Sequence, residues 1–151
     1  MKRYLGVDYG TKRIGLAISD GIGLTARPLD VVSRNRLIDE VRRLDAEYGL
    51  EAVIVGLPTA LGGNEGVSAT AARALGEEVR SALGIDVVYV DERFTSHMAE
   101  GALLESGMKR RDRKETVDKV AAAIILQTYL DNRRRTGNSS EAPGVEPPES
   151  Q

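Results

Sequence analysis

Residues 7–19 read VDYGTKRIGLAIS. Two apolar runs flank the polar knot DYGTKR, the first ending at Asp8. A short glycine-containing turn between such runs predicts a β-hairpin over 3–8 and 13–19. Asp8 then closes the first strand. It is either a turn residue at the surface or a carboxylate held at a sheet edge for chemistry, and the hairpin leaves both readings open. Tyr4, Gly6 and Asp8 share one face by the period of two. Gly6 leaves space beside Asp8, as if something approaches it.

Working outward, TARPLDVVS (25–33) predicts a third strand, placed at an edge because Pro28 has no N–H for a ladder bond. Leu37, Val41, Leu44 and Tyr48 fall at helical spacing and predict a helix over 35–48, ended by Gly49. AVIVGLP (52–58) is a continuous apolar run of the kind buried on both sheet faces. Residues 67–83 predict a second helix, closed by Gly84, and IDVVYVDER (85–93) another buried strand that ends in charge. Thr95 or Ser96 caps a helix through Leu104; a basic loop and a long helix over about 113–132 follow. The order is an antiparallel start followed by β-α-β-α-β crossovers. It predicts an α/β fold with parallel strands and helices on both faces, whose ligands sit beyond the C-terminal strand ends.

The chain of 151 residues suits one domain, with 41% hydrophobic and 29% charged residues. It has no cysteine, which rules out disulfides and thiolate metal sites and fits a reducing cytoplasm. MKRYLGVDYG is too short an apolar run for a signal peptide, and no stretch is long and apolar enough to predict a membrane span. Residues 136–151 hold three of the five prolines, three glutamates and no basic residue. They predict a disordered tail after a domain over 1–135. Net charge is −2, so without that tail the chain carries +1. Cations cluster in KRRDRK (109–114) and RRR (133–135), which suggests a polyanion partner or a solvated helix end.

Three carboxylate positions stand out. Asp8 ends the first strand, Asp91 and Glu92 end the last, and Asp118 lies on the final helix in KETVDKVAAAIILQTYL beside a stripe of Val117, Val120, Ala121, Ile124 and Thr128. An acid on that side is costly unless paired; an ion pair to Arg or Lys, or a place near a helix N-terminus, would account for it. Three acids meeting at one strand edge would repel one another. A hard divalent cation, Mg²⁺ or Mn²⁺, removes that repulsion, and two such ions would serve attack of water on a phosphodiester.

VDYGTKRIGLAISD, VGLP with a glycine-rich loop, VDERFTS and TVDKVAAAIIL, in that order, resemble the YqgF family, also called RuvX. The resemblance spans about residues 2–132. It implies an RNase H-like fold, a five-stranded mixed sheet with three antiparallel strands first. It also implies a cytoplasmic, metal-dependent nuclease that processes the 5′ end of pre-16S rRNA in ribosome biogenesis, in contact with ribosomal precursor particles, or that resolves Holliday junctions in branched DNA. By position, the catalytic and metal-binding triad would be Asp8, Glu92 and Asp118. Asp91 competes with Glu92, and period two puts them on opposite faces; the family pattern favours Glu92.

Given the triad, Lys12 and Arg13 would meet a phosphate, and Arg93 would orient a carboxylate or phosphate. Arg110, Arg111, Arg113 and Lys114 would hold nucleic acid beside the acids. Tyr9 and Phe94 could stack on a base, and His97 reads as structural. The protein would be a monomer or a homodimer. Two other classes compete. Asp8 to Gly15 also resembles the phosphate-binding hairpin of the actin and sugar-kinase superfamily, which needs two such domains where this chain has room for one. A non-catalytic binder of junctions or pre-ribosomal RNA would show salt-sensitive binding without cleavage.

Overall fold

The computed structural model describes residues 2–10, 12–58, 66–91, 110–135 and 145–146, and for 67, 110–117, 135 and 145–146 the backbone alone. The hairpin forms as the alternation dictates: β1 (Arg3–Asp8) pairs antiparallel with β2 (Arg13–Ser19). β3 (Ala26–Ser33) adds antiparallel to β2 at the sheet edge, with Pro28 on it. Leu16 pairs with Asp30 and Ala17 with Pro28, so the ladder skips Leu29 as a bulge. After a 3₁₀ turn at Arg34–Arg36, α1 (Leu37–Tyr48), β4 (Leu50–Leu57), α2 (Val67–Leu83) and β5 (Asp86–Asp91) make two parallel crossovers. α3 (Arg110–Arg135) follows, and a two-residue strand, β6 (Val145–Glu146), pairs antiparallel with β5.

The strand order is β3-β2-β1-β4-β5-β6. This is the expected mixed sheet of three antiparallel strands followed by parallel ones, and the short β6 extends it by one. Of the expected tail, only Val145 and Glu146 lie within the described residues. The helix expected through Leu104 lies outside them. The last helix starts earlier than its apolar pattern suggests. Arg110 and Arg111 join its first turn instead of a basic loop, because Arg is a good helix former.

Alternation divides the core between two faces. Leu5, Val7, Ile14, Leu16, Val53 and Val55 pack with Leu37, Val41 and Leu44 of α1 and Ala72, Leu75 and Val79 of α2. Tyr4, Ala17, Ile54, Val88 and Val90 pack with Ala122, Ile125, Leu126 and Leu130 of α3 on the other face. The buried stripe of α3 is thus Ala121, Ala122, Ile125, Leu126 and Leu130, while Val120, Ile124 and Thr128 are half-buried. Asp118 lies in line with that stripe, one turn before Ala122. Tyr9 packs against the α1/α2 side of the core, which ties its ring to packing more than to a base.

Gly6 has a different use from the one its sequence suggests. A Cβ there would lie 2.7 Å from the Ala122 carbonyl oxygen and 2.8 Å from Leu126 Cβ. The space beside Asp8 is filled by the backbone of α3, and the absence of a side chain lets that helix lie close to the sheet.

One side chain fastens the β2–β3 hairpin to α3. Gln127 Oε1 accepts from the Ala26 N–H at 2.8 Å, and its Nε2 donates to the Leu24 carbonyl at 2.9 Å. Within the hairpin turn, the Leu24 N–H and Thr25 hold the Asp20 carboxyl below its usual range. Gln127→Leu leaves the Ala26 and Leu24 groups without that partner. It should lower stability by roughly 1–3 kcal/mol, read as a lower urea midpoint at unchanged slope; an unchanged midpoint would show that the clasp contributes nothing.

Candidate active site

The parallel strands β1, β4 and β5 end together at Asp8, Leu57 and Asp91. Asp8 is 9% exposed. The residues in register with it on its two neighbours are both glycines, Gly15 on β2 and Gly56 on β4. Over Gly15 lies the backbone of α3: a Cβ at Gly15 would collide with the carbonyl oxygen and carbon of Asp118. Asp8 and the backbone of Asp118 therefore lie on the same face, at the same end of the sheet, on either side of a glycine that permits the approach. Asp8 is buried, and α3 passes over Gly6 on its own strand and Gly15 beside it.

Arg13 begins β2 on that face, two residues from Gly15. Its Nε lies 3.5 Å from Asp118 Oδ2, with side chains 31% and 25% exposed. The ion pair that could account for Asp118 is thus present, and it brings a basic residue expected to bind substrate into direct contact with an acid of the expected triad. Lys12 is exposed in the β1–β2 turn.

Asp91 falls elsewhere. It is in register with Leu57, which belongs to the α1/α2 core, and follows Val87 and Tyr89 on that face. Asp8 shares the α3 face with Ile54, Val88 and Val90. Asp91 is exposed and on the far side of the sheet from Asp8 and Asp118. Glu92, Arg93, Phe94 and His97 lie outside the described residues. The backbone places Arg110, Arg111, Arg113 and Lys114 one to two turns before Asp118 on α3, about 6–12 Å along the axis. Among the described residues no three acids or histidines gather as a metal-holding group; Asp8 and Asp118 are the two acids of the expected triad that those residues include.

Two tyrosines with perturbed phenols lie away from this end. The rings of Tyr4 and Tyr129 meet at a tilt with centroids 5.7 Å apart, and burial raises both phenols above their usual range. Sequence reading missed Lys119. It follows Asp118 and lines a cleft with Arg13. Its only signal was its place beside an acid, which is too common to single it out. Among the described residues no helix is long and apolar enough to cross a membrane.

Comparison with known proteins bears on this arrangement. A relative from Lactococcus lactis subsp. cremoris (strain MG1363), named "Putative pre-16S rRNA nuclease", is 41% identical over 134 residues, covering 85% of this chain and 94% of the relative. One of the same name from Moorella thermoacetica is 40% identical over 138 residues, covering 89% and 99%. The fold is similar to that of Thermus thermophilus RuvC bound to a Holliday junction substrate, with a TM-score of 0.56 at 18% identity, covering 91% of this chain and 97% of that one. The family model described as "RuvX: Holliday junction resolvase" matches residues 2–132, a span that holds β1 through most of α3, with Asp8, Arg13 and Asp118 inside it. The chain belongs to the RuvX family.

Proposed function

We propose that the protein is a metal-dependent endonuclease that cuts phosphodiester bonds in structured nucleic acid, with the 5′ end of pre-16S rRNA as its main substrate. The observation that carries this reading is the placement of Asp8 and Asp118 on one sheet face, on either side of Gly15, in a chain of the RuvX family. The names of the relatives favour the RNA substrate. The description of the family favours a second one, the four-way DNA junction.

Asp8, Glu92 and Asp118 are the proposed catalytic and metal-holding acids. Asp91 lies on the opposite face, which supports Glu92 as the third member. The donor set fits Mg²⁺ or Mn²⁺: two carboxylates share one face, and the chain has no cysteine. When bound, such an ion supplies charge stabilisation and an activated water for hydrolysis of the diester. Asp8 holds its charge from the rigid end of β1, and Asp118 from α3. Arg13, steadied by Asp118, offers guanidinium N–H groups to the extra negative charge of the transition state. Lys12, Arg93, Arg110, Arg111, Arg113 and Lys114 bind the backbone of the substrate on either side. The domain is 1–135, with Val145 and Glu146 of the tail added to its sheet as β6, and the protein works in the cytoplasm. A two-fold junction would call for a homodimer, whereas trimming an RNA end needs only a monomer.

A side-by-side assay on a pre-16S rRNA 5′ end and a four-way DNA junction, with Mg²⁺ and with chelator, tests the reading. Metal-dependent cutting of the RNA is expected. Cutting of the junction alone would move the substrate to DNA, and salt-sensitive binding with no cutting of either would leave a binder.

A further inference from the structure

Beside the acids, the start of β2, the edge strand β3 and α3 leave an open cleft of ≈ 230 Å³, lined by Arg13, Asp30, Val31, Val32, Ser33 and Lys119. Two of these side chains are cations and one is an anion. The anion is partly satisfied within its own strand, because Asp30 Oδ1 accepts from the Val31 N–H at 2.8 Å. Ser33 donates its hydroxyl to Asn35 Oδ1 at 2.8 Å, which fixes that wall. Lys119 makes no ion pair among the described residues, and it follows Asp118 by one position, about 100° around the helix. The contact of Arg13 Nε with Asp118 puts its guanidinium on the wall between cleft and acids.

We propose that this cleft holds a backbone phosphate of the bound strand, one that is not cut, with Lys119 as its main partner and Arg13 as the link to the acids. The proposal rests on the nuclease reading in taking nucleic acid as the ligand. A fixed phosphate beside the acids would set the register of the strand without reading its bases. An ammonium on a flexible stem suits a tetrahedral anion approached from open solvent. Asp30 opposes that binding and keeps the cleft from holding anions indiscriminately.

The test is binding without turnover. Fluorescein-labelled RNA hairpin and labelled four-way DNA junction are titrated by anisotropy in chelator, from 50 to 400 mM KCl. Lys119→Ala should weaken binding roughly fourfold at 0.15 M salt and reduce the slope of log K against log[salt] by about 0.7–0.9, the release expected from one phosphate contact. Asp30→Asn should tighten binding, and Lys2→Ala, at the far end of β1, should change neither quantity. A Lys119→Ala variant with the wild-type slope and affinity overturns the cleft even if the protein cuts with Mg²⁺. A protein that binds with the expected slopes but never cuts overturns the nuclease reading and supports the cleft. Binding of neither probe by the wild type overturns both.

Discussion

Asp8→Asn should abolish cleavage while leaving the chain folded. The substitution keeps size and shape and removes one negative charge from the end of β1, where the carboxylate is 9% exposed and α3 brings Asp118 onto the same face. Loss of one preorganised charge-stabilising group costs on the order of 10²–10³ in rate, and a ligand to the catalytic ion belongs at the upper end of that range or beyond it. Stability should stay level or rise, because relief of repulsion between neighbouring acids works in that direction. Asp118→Asn differs in one useful respect. It also removes the partner of Arg13, a partly exposed pair that contributes up to about 1 kcal/mol. A small drop in melting temperature with complete loss of cutting marks a catalytic acid. The same drop with full cutting marks a structural one. Cutting that survives in both variants removes the triad.

The largest effect on stability is expected at Gly15. A Cβ there meets the carbonyl group of Asp118 and comes within 2.9 Å of the Lys119 nitrogen. These are backbone atoms of a helix packed against the sheet, so no side chain can swing aside. Gly15→Ala must push α3 outward. Overpacking of this kind costs roughly 3 kcal/mol, a fall of about 6–12 °C in Tm. The same displacement separates Asp118 from Asp8, and a shift of about 1 Å at a catalytic group costs on the order of 100-fold in rate. Gly6→Ala provides the comparison. Its contacts, at 2.7 and 2.8 Å, lie a turn or more beyond Asp118 along α3. It should therefore lower Tm with a smaller loss of cutting in the fraction that remains folded. Gly15→Ala with wild-type melting and wild-type cutting would show that close packing at this glycine does not position the site.

Much of this was legible in the sequence, for identifiable reasons. The limits of β1 and β2 follow from apolar runs interrupted by one polar knot, and α2 from a stripe with a period of 3.6. Pro28 marked β3 as an edge. Asp8 and Asp118 could be singled out because acids beside apolar stripes need a reason. Register was not legible. Only the pairing of Asp8 with Gly15 shows why two acids far apart in the chain can share one end of one face, and only the pairing of Leu57 with Asp91 puts Asp91 on the opposite face. The start of α3 was hidden because Arg and Lys read as solvated loop and as good helix formers alike. β6 was hidden because one valine among prolines and glutamates carries no periodicity.

The outer border of β3 has a consequence for how copies of this protein can associate. Pro28 offers no N–H to an incoming strand, and the bulge at Leu29 breaks the regular repeat that a neighbour would have to match. On the opposite border, β6 already occupies part of β5. Two molecules are thus discouraged from fusing their sheets into one continuous ribbon, and any pair that grips a symmetric substrate must join through helices or loops.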